Sequence, residues 1–213
     1  MTRLLIATTN PAKLAEYRIL LDGSGLEPRS LAELGIADHP AETGATFAEN
    51  ALLKARFYFE RAQMATLADD GGLEVDALGG EPGVKSHRWL GERRSDDQAL
   101  ADEVIRRMRG VEPSRRSARL RAALALAYRD GGAIRERVAE AAIEGVVPER
   151  AWPHIRSGFP YRAVLFLPER GRYLADLGEQ EEARLSQRRI ALEKLRGDLA
   201  RIASTPAARE AVR

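Results

Sequence analysis

The sequence predicts a mixed α/β fold in which the two ends of the chain build one lobe and the middle builds another. Three observations predict it. Short apolar runs alternate with capped helical stretches in the N-terminal part. A strand–turn–strand pattern surrounds Asp130-Gly131-Gly132 in the middle. Helical spacing returns toward the C-terminus. The first lobe is expected to span roughly 1–110 and 175–203 and the second roughly 111–174, with 204–213 a disordered tail.

The elements follow in order. Arg3–Thr8 reads as a short buried strand. Asn10 then offers a helix cap, Pro11 sits at the first helical position, and Leu14, Tyr17 and Leu21 share a helical face. Leu26–Ser30 is a candidate second strand. Thr46-Phe-Ala-Glu49 is a capping box, so a helix is expected from Thr46 to about Ala62. Thr66–Ala68 is expected to be a strand ending at Asp69-Asp70-Gly71-Gly72, and the glycine-rich 79–83 stretch a loop. A helix is expected from about Asp96 to Met108. Ala118–Tyr128 fits strand or helix by pattern alone, and the following Asp130-Gly131-Gly132 turn favours a hairpin. Ala163–Leu167 reads as a strand. Leu185, Leu192, Leu195, Leu199 and Ile202 mark one long amphipathic helix.

Composition narrows the function classes. With 213 residues, 44% hydrophobic and 31% charged, the chain is long enough to bury a core and ordinary for a soluble protein. A net charge of only +2 gives no basis for a nucleic-acid partner, though it suits a small anionic substrate. There is no cysteine, so disulfides and thiolate metal sites are excluded. No signal-peptide layout and no stretch long enough to span a bilayer is present, so a cytoplasmic protein without a membrane partner is expected.

Four segments carry chemistry. Thr8-Thr9-Asn10-Pro11-Ala12-Lys13 places a helix N-terminus directly after a strand. That presents free N–H groups and the positive end of the helix dipole, an anion site in its own right, with Lys13 adding a full charge. The plainer reading is that Asn10 only caps and Lys13 is only exposed. Glu42-Thr43-Gly44 precedes a helix on which Asn50 and Lys54 share a face. A solvated lysine is the plain alternative there. Asp69-Asp70-Gly71-Gly72 sets two adjacent acids and two glycines at a strand end. Charge repulsion and lost entropy make this arrangement costly, and a bound cation would explain it. Mg²⁺ favours such a site, with one or two carboxylates plus water and substrate phosphates, and a carboxylate beside it can deprotonate the attacking water. Finally, Lys85-Ser86-His87-Arg88 offers a second phosphate clamp. His87 alone reads as structural, and three histidines (His39, His87, His154) suggest no histidine metal cluster.

These residues resemble the inosine-triphosphate pyrophosphatase family along nearly the whole chain. The family's Thr-x-Asn-x-x-Lys is similar to Thr8, Asn10 and Lys13. Its Glu-Thr-Gly-x-Thr-Phe-x-Glu-Asn-Ala-x-x-Lys-Ala matches Glu42 to Ala55 residue for residue. Its Ala-Asp-Asp-Ser-Gly-Leu segment is similar to Ala68–Leu73, with Gly71 where serine is usual. The resemblance implies two lobes around a mixed, elongated sheet with a central cleft, and usually a homodimer. It implies Mg²⁺-dependent hydrolysis of a (deoxy)nucleoside triphosphate such as dITP, ITP or XTP to the monophosphate and pyrophosphate. Carried over, Thr8, Asn10, Lys13 and Lys54 would hold the phosphates, and Thr9, Gly71 and Lys85 are further candidates for contact with the substrate. Glu42 and Asp70 would hold the metal, Asp70 would also serve the attacking water, and Asp69 would support them.

The base-side segments depart from the family pattern. Gly-Phe-Gly-Tyr-Asp-Pro appears as Gly158-Phe159-Pro160-Tyr161-Arg162-Ala163. Glu-Glu-Lys appears as Glu181-Glu182 followed by an alignment that puts Glu182 at the lysine position. Ser-His-Arg appears as Ser186-Gln187-Arg188. Phe159, Tyr161, Arg162, Gln187 and Arg188 would thus surround the base with altered chemistry. Gln187 can donate or accept. Arg162 only donates; it could fork onto O6 and N7 of a purine or bind an acidic group. Opposite charge changes at 162 and 182 predict an Arg162–Glu182 ion pair across the pocket. Two further readings stay open: the same chemistry on a different or broader nucleotide set, and a weakly catalytic nucleotide-binding protein.

Overall fold

The computed structural model describes residues 1–91 and 95–205. Most of the tail expected at 204–213 therefore lies outside the described residues. The chain forms β1 (Thr2–Ala7), α1 (Pro11–Leu20), β2 (Leu26–Ser30), α2 (Phe47–Ala62), β3 (Thr66–Val75), α3 (Asp97–Arg107), β4 (Ser117–Asp130) and β5 (Ala133–Val146). The short strands β6 (Phe166–Leu167) and β7 (Arg172–Tyr173) follow, then helices α4 (Glu179–Leu185), α5 (Gln187–Lys194) and α6 (Arg196–Ser204). All seven strands join one mixed sheet in the order β2-β1-β3-β4-β5-β6-β7. β1 runs parallel to β2 and β3, and every later pairing is antiparallel.

β4 shows why its pattern reads two ways. Ala122 to Tyr128 are all buried, so the strand lacks the polar alternation of a half-exposed one. Its alternating residues feed two cores. Ala123, Ala125 and Ala127 pack under α2 with Phe47, Ala51 and Ala55. Leu124, Leu126 and Tyr128 pack with Tyr17, Leu192, Leu199 and Ile202 on the opposite face. The small alanines let α2 lie close to the sheet. β4 turns into β5 through Gly131 and Gly132, whose φ values of 56° and 88° fit a two-residue hairpin turn.

Three expectations need correction. β3 does not end at the acid–glycine segment; it pairs with β4 from Thr66 through Val75, placing Asp69 opposite Leu124 and Gly72 opposite Arg121. An unbroken partner strand outweighs the local preference of Asp and Gly for turns. Ala163–Leu167 is strand only at Phe166 and Leu167; Ala163 and Val164 belong to a 3₁₀ turn over Pro160–Val164. Pro160 at its first position fixes the turn, and its buried residues face a core instead of a ladder. The single C-terminal helix is three helices. Ser186 is extended at φ −52° and ψ 126°, and Leu195 leaves the helical region at ψ 2°. The apolar stripe survives because Leu192, Leu195, Leu199 and Ile202 still meet one core.

Gly72 locks the site-bearing loop onto β3. Ser86 Oγ lies where a Cβ at position 72 would stand. From there it accepts from Leu73 N at 3.2 Å and donates to the Gly83 carbonyl at 2.6 Å. Gly72→Ala should therefore displace this loop and destabilise the protein by about 1–3 kcal/mol, as overpacking of a tight contact does. Urea denaturation measures it; an unchanged midpoint would contradict the close approach.

Candidate active site

β3 carries adjacent acids whose side chains point to opposite faces of the strand. Asp69 faces α1 and α5. Its Oδ1 accepts from Lys13 Nζ at 2.7 Å, and its Oδ2 accepts from the Tyr17 hydroxyl at 2.7 Å and from Arg188 Nε. It is 3% exposed. Burial pushes its carboxyl up, yet Arg188 and Lys13 dominate together and hold it far below the ordinary carboxylate range. Asp69 is thus an anchor that stays ionised and has no capacity to take a proton.

Asp70 faces α2. Lys54 Nζ lies 3.0 Å from Asp70 Oδ1 and 3.0 Å from Glu42 Oε1, bridging the two acids. Glu42 Oε2 also accepts from Arg88 Nη2 at 3.0 Å. Asp70 Oδ2 is buried and has no hydrogen-bond partner. Burial raises the Asp70 carboxyl, and neighbouring Glu42 adds to this while Lys54 and Lys13 oppose it. Burial lowers the Lys54 ammonium, but Asp70 and Glu42 outweigh it and leave Lys54 above its usual value. Glu42 reaches the site because Asn50, buried on α2, accepts from Gly44 N at 2.8 Å and so pins the preceding loop.

The start of α1 differs from the expectation of free N–H donors. Asn10 Oδ1 accepts from Ala12 N at 2.9 Å and Lys13 N at 3.4 Å, and Pro11 has no N–H. Asn10 Nδ2 donates to the Gly158 carbonyl at 3.2 Å. The positive end of the helix remains, but its first donors are satisfied internally. Asn10 instead ties the start of α1 to the Gly158 loop. Nor is Lys13 the exposed cation of the plain reading; it is 7% exposed. Burial lowers its ammonium against the opposing pull of Asp69.

One cavity of ≈ 290 Å³ is lined by Thr8, Thr9, Asn10, Lys13, Glu42, Lys54, Asp69, Asp70 and Gly71, together with Ser86, His87 and Arg88. Lys85 is not among them. It is exposed and lines a separate cavity of ≈ 700 Å³. The short turn over Gly83–Arg88 sends Ser86 inward and Lys85 the other way. In the larger cavity Arg107 and Arg121 are paired with Glu81 and Glu74. Phe159, Tyr161, Arg162, Gln187 and Arg188, expected around the base, line an adjoining cleft that shares Lys13 and Gly71 with this cavity. Tyr161 is committed elsewhere, its hydroxyl donating to the buried Ser86 carbonyl.

The expected Arg162–Glu182 ion pair forms. It belongs to a longer alternating chain of charges: Asp69, Arg188, Glu16, Arg162, Glu182, Arg156. Arg188 Nη1 and Arg162 Nη2 lie 3.3 and 3.2 Å from Glu16 Oε2, and Arg156 Nη1 lies 3.2 Å from Glu182 Oε2. Ser186 Oγ donates to Glu16 Oε1 at 2.7 Å. Burial brings the Arg162 guanidinium down to about 10, against the pull of Glu16. Sequence reasoning passed over Glu16 and took Tyr17 only as core. Lys13, Glu16 and Tyr17 share a helical face by their spacing of three and four, which was the available signal.

The anchoring acids make stability pH-dependent. Arg188 and Arg162 hold Glu16 below its ordinary value against the effect of burial, as cations hold Asp69. In acid the unfolded chain therefore binds more protons than the folded one, and stability rises with pH. The contribution is present above about pH 4, the unfolded carboxyl value, and is lost as pH falls toward the folded values. The urea midpoint should fall steadily between about pH 5 and about pH 3. Asp69→Asn should flatten part of that slope while costing about 3–5 kcal/mol at neutral pH by stranding buried cations. A midpoint indifferent to acid would contradict this anchor.

Comparison with known proteins places the chain in a family. The chain is 42% identical over 195 residues to the dITP/XTP pyrophosphatase of Geobacillus kaustophilus, covering 92% of this chain and 93% of the relative. It is 42% identical over 197 residues to the dITP/XTP pyrophosphatase of Thermus thermophilus, covering 91% and 89%. The solved structure of a HAM1 protein from Coxiella burnetii superposes with a TM-score of 0.81 at 31% identity, covering 94% of this chain and all of that one. The nucleoside-triphosphatase / dITP/XTP pyrophosphatase from Mycobacterium abscessus superposes with a TM-score of 0.71 at 34% identity, covering 91% and 97%. The Ham1 family model matches residues 4–198, a span that holds every element of the site, and this chain belongs to the Ham1 family.

Proposed function

We propose that the protein hydrolyses non-standard purine nucleoside triphosphates of the dITP, ITP and XTP class to the monophosphate and pyrophosphate, using Mg²⁺. The observation that carries this reading is Asp70 Oδ2, a buried carboxylate oxygen with no hydrogen-bond partner, beside Glu42 in a cavity that Lys13 and Lys54 also line. Such an oxygen is costly unless something binds it. Among the described residues no group of three or more His, Cys, Asp or Glu could hold an ion unaided. That donor set fits Mg²⁺, which takes one or two carboxylates and completes its shell with water and substrate phosphates. Asp70 and Glu42 would hold the ion, which would supply charge neutralisation on the triphosphate.

The chain's own residues divide the remaining work. Lys13 and Lys54 meet phosphate oxygens, and the Thr8–Asn10 turn lines the same cavity. Asp70, with its carboxyl raised by burial, is the group suited to take the proton of the attacking water. Lys54 keeps Asp70 and Glu42 from separating before substrate arrives. Asp69 holds Lys13 and Arg188 in place. A homodimer is supported by the exposed Ile134 and Val138, four apart on one side of β5. Among the described residues no helix is long and apolar enough to cross a membrane.

The test is a panel of dITP, XTP, dATP, dGTP, dCTP and dTTP with Mg²⁺, reading pyrophosphate against orthophosphate. Pyrophosphate with the matching monophosphate is the expected product pair. Asp70→Asn should lower kcat by at least about 10²-fold, the usual contribution of a positioned base, with the folded state retained. Wild-type turnover in that variant would remove Asp70 from its role. Chelation by EDTA should abolish turnover and added Mg²⁺ restore it; full activity in EDTA would exclude the metal reading.

A further inference from the structure

We propose that Arg88 is a displaceable partner of Glu42: it neutralises that carboxylate until a divalent cation takes its place, and then turns its fork onto the triphosphate. The inference rests on the proposed pyrophosphatase reading and adds to it a residue that couples the two ligands. Its starting point is Glu42. This acid must offer an oxygen to the ion, yet both of its oxygens are engaged. Oε1 accepts from Lys54 Nζ at 3.0 Å and Oε2 from Arg88 Nη2 at 3.0 Å. Asp70 differs. Its Oδ1 accepts from Lys54, and its buried Oδ2 has no hydrogen-bond partner. An ion that reaches Asp70 Oδ2 gains Glu42 only by displacing one of the cations held there.

Arg88 is the one that can leave. Lys54 bridges two acids, and its side chain is 12% exposed. Pulling it away would strand charges in a poorly hydrated place. The Arg88 side chain is 44% exposed. A pair of that kind is worth at most about fivefold in an equilibrium constant. The main chain beneath Arg88 is fixed from behind. Ser86 Oγ bonds Leu73 N and the Gly83 carbonyl, the Tyr161 hydroxyl donates to the Ser86 carbonyl, and Ser95 N donates to the His87 carbonyl at 2.9 Å. The side chain therefore swings on a stationary turn. It lines the same cavity as Lys13 and Lys54. A released guanidinium there meets phosphate oxygens, whose geometry its planar fork matches.

Charge balance ties the two events together. Glu42 and Asp70 are offset by Lys54 and Arg88. A divalent cation arriving alone would leave surplus positive charge around itself. A triphosphate arriving alone would face two carboxylates. Arriving together they relieve each other, with Arg88 passing from the acid to the phosphates. Each ligand then raises the affinity of the other by the same factor.

The experiment has one readout without substrate and one with it. The first is calorimetric titration of the protein alone with Mn²⁺. The second is steady-state cleavage of dITP at saturating Mg²⁺. Arg88→Ala should bind Mn²⁺ at least about threefold more tightly than the wild type, because nothing has to leave Glu42. The same variant should show a KM for dITP raised at least about tenfold, the weight of a charge-assisted phosphate contact, with kcat within about threefold of the wild type. These shifts run in opposite senses, whereas an arginine that only shaped the loop would weaken both. Arg88→Gln removes the charge while keeping much of the side chain; it should behave as Arg88→Ala does and guards against a folding failure in that variant. Arg88→Lys can make the same exchange, so it should keep a Mn²⁺ affinity near that of the wild type and recover most of the KM. Mn²⁺ affinity unchanged or weakened in both uncharged variants, or a KM that does not move, would overturn the inference while leaving the pyrophosphatase reading intact. A wild type that releases no pyrophosphate from dITP would overturn that reading and this inference with it.

Discussion

The arrangement depends on one buried carboxylate. Asp69 gathers an ammonium from α1, a phenol from the same helix and a guanidinium from α5 onto a central strand. The helices that supply these donors also pack on the sheet through apolar residues, Tyr17 from α1 and Ala191 and Leu192 from α5. Removing such an acid strands its cations in a low-dielectric setting, a larger loss than that of the pair itself. The same carboxylate therefore fixes both the packing of the helices and the direction in which Lys13 points. Because its proton is held off far below neutrality, the anchor is present throughout the range in which an enzyme works.

The pleat of β3 separates structural from chemical carboxylates. Consecutive residues on a strand face opposite ways. Asp69 is saturated with donors, and Asp70 keeps one oxygen without any. Two acids adjacent in sequence thus have their titrations pushed in opposite directions by their surroundings. Lys54 offsets the repulsion between Asp70 and Glu42 and holds them together.

Much of this was legible in the sequence because it is local. The Asn10 cap, the Thr46 box and the Asp130-Gly131-Gly132 turn each depend on residues a few positions apart, and all three appear in the structure. The alternation of β4 was obscured because both faces are buried, a matter of tertiary cover that no local pattern records. The misplacement of Lys85 has a similar origin. Lys85 and Arg88 look alike in a short basic run, but only Arg88 is turned toward Glu42. The continuation of β3 past Asp70 could not be read from residues that prefer turns; it required β4 as a partner. Satisfaction of the first-turn donors by Asn10 was written in the sequence as a cap. Reading the same segment as an anion site counted those N–H groups twice.

The pairing of Arg162 with Glu182 was foreseen from charge alone, but its consequence needed the third dimension. Two opposite charge changes conserve net charge, so composition gives no hint of function lost or gained. Geometry does, because the two side chains differ in reach. Arginine is long and flat and lies across Phe159, and the acid opposite holds its fork. A pair of the reverse sense would place a short carboxylate at 162, too short to cover the ring. The direction of the exchange, and not its neutrality, is what lays a guanidinium across Phe159. Glu16 makes the arrangement stable, since it bonds both Arg162 and Arg188 and so ties the cover to the same network that Asp69 anchors.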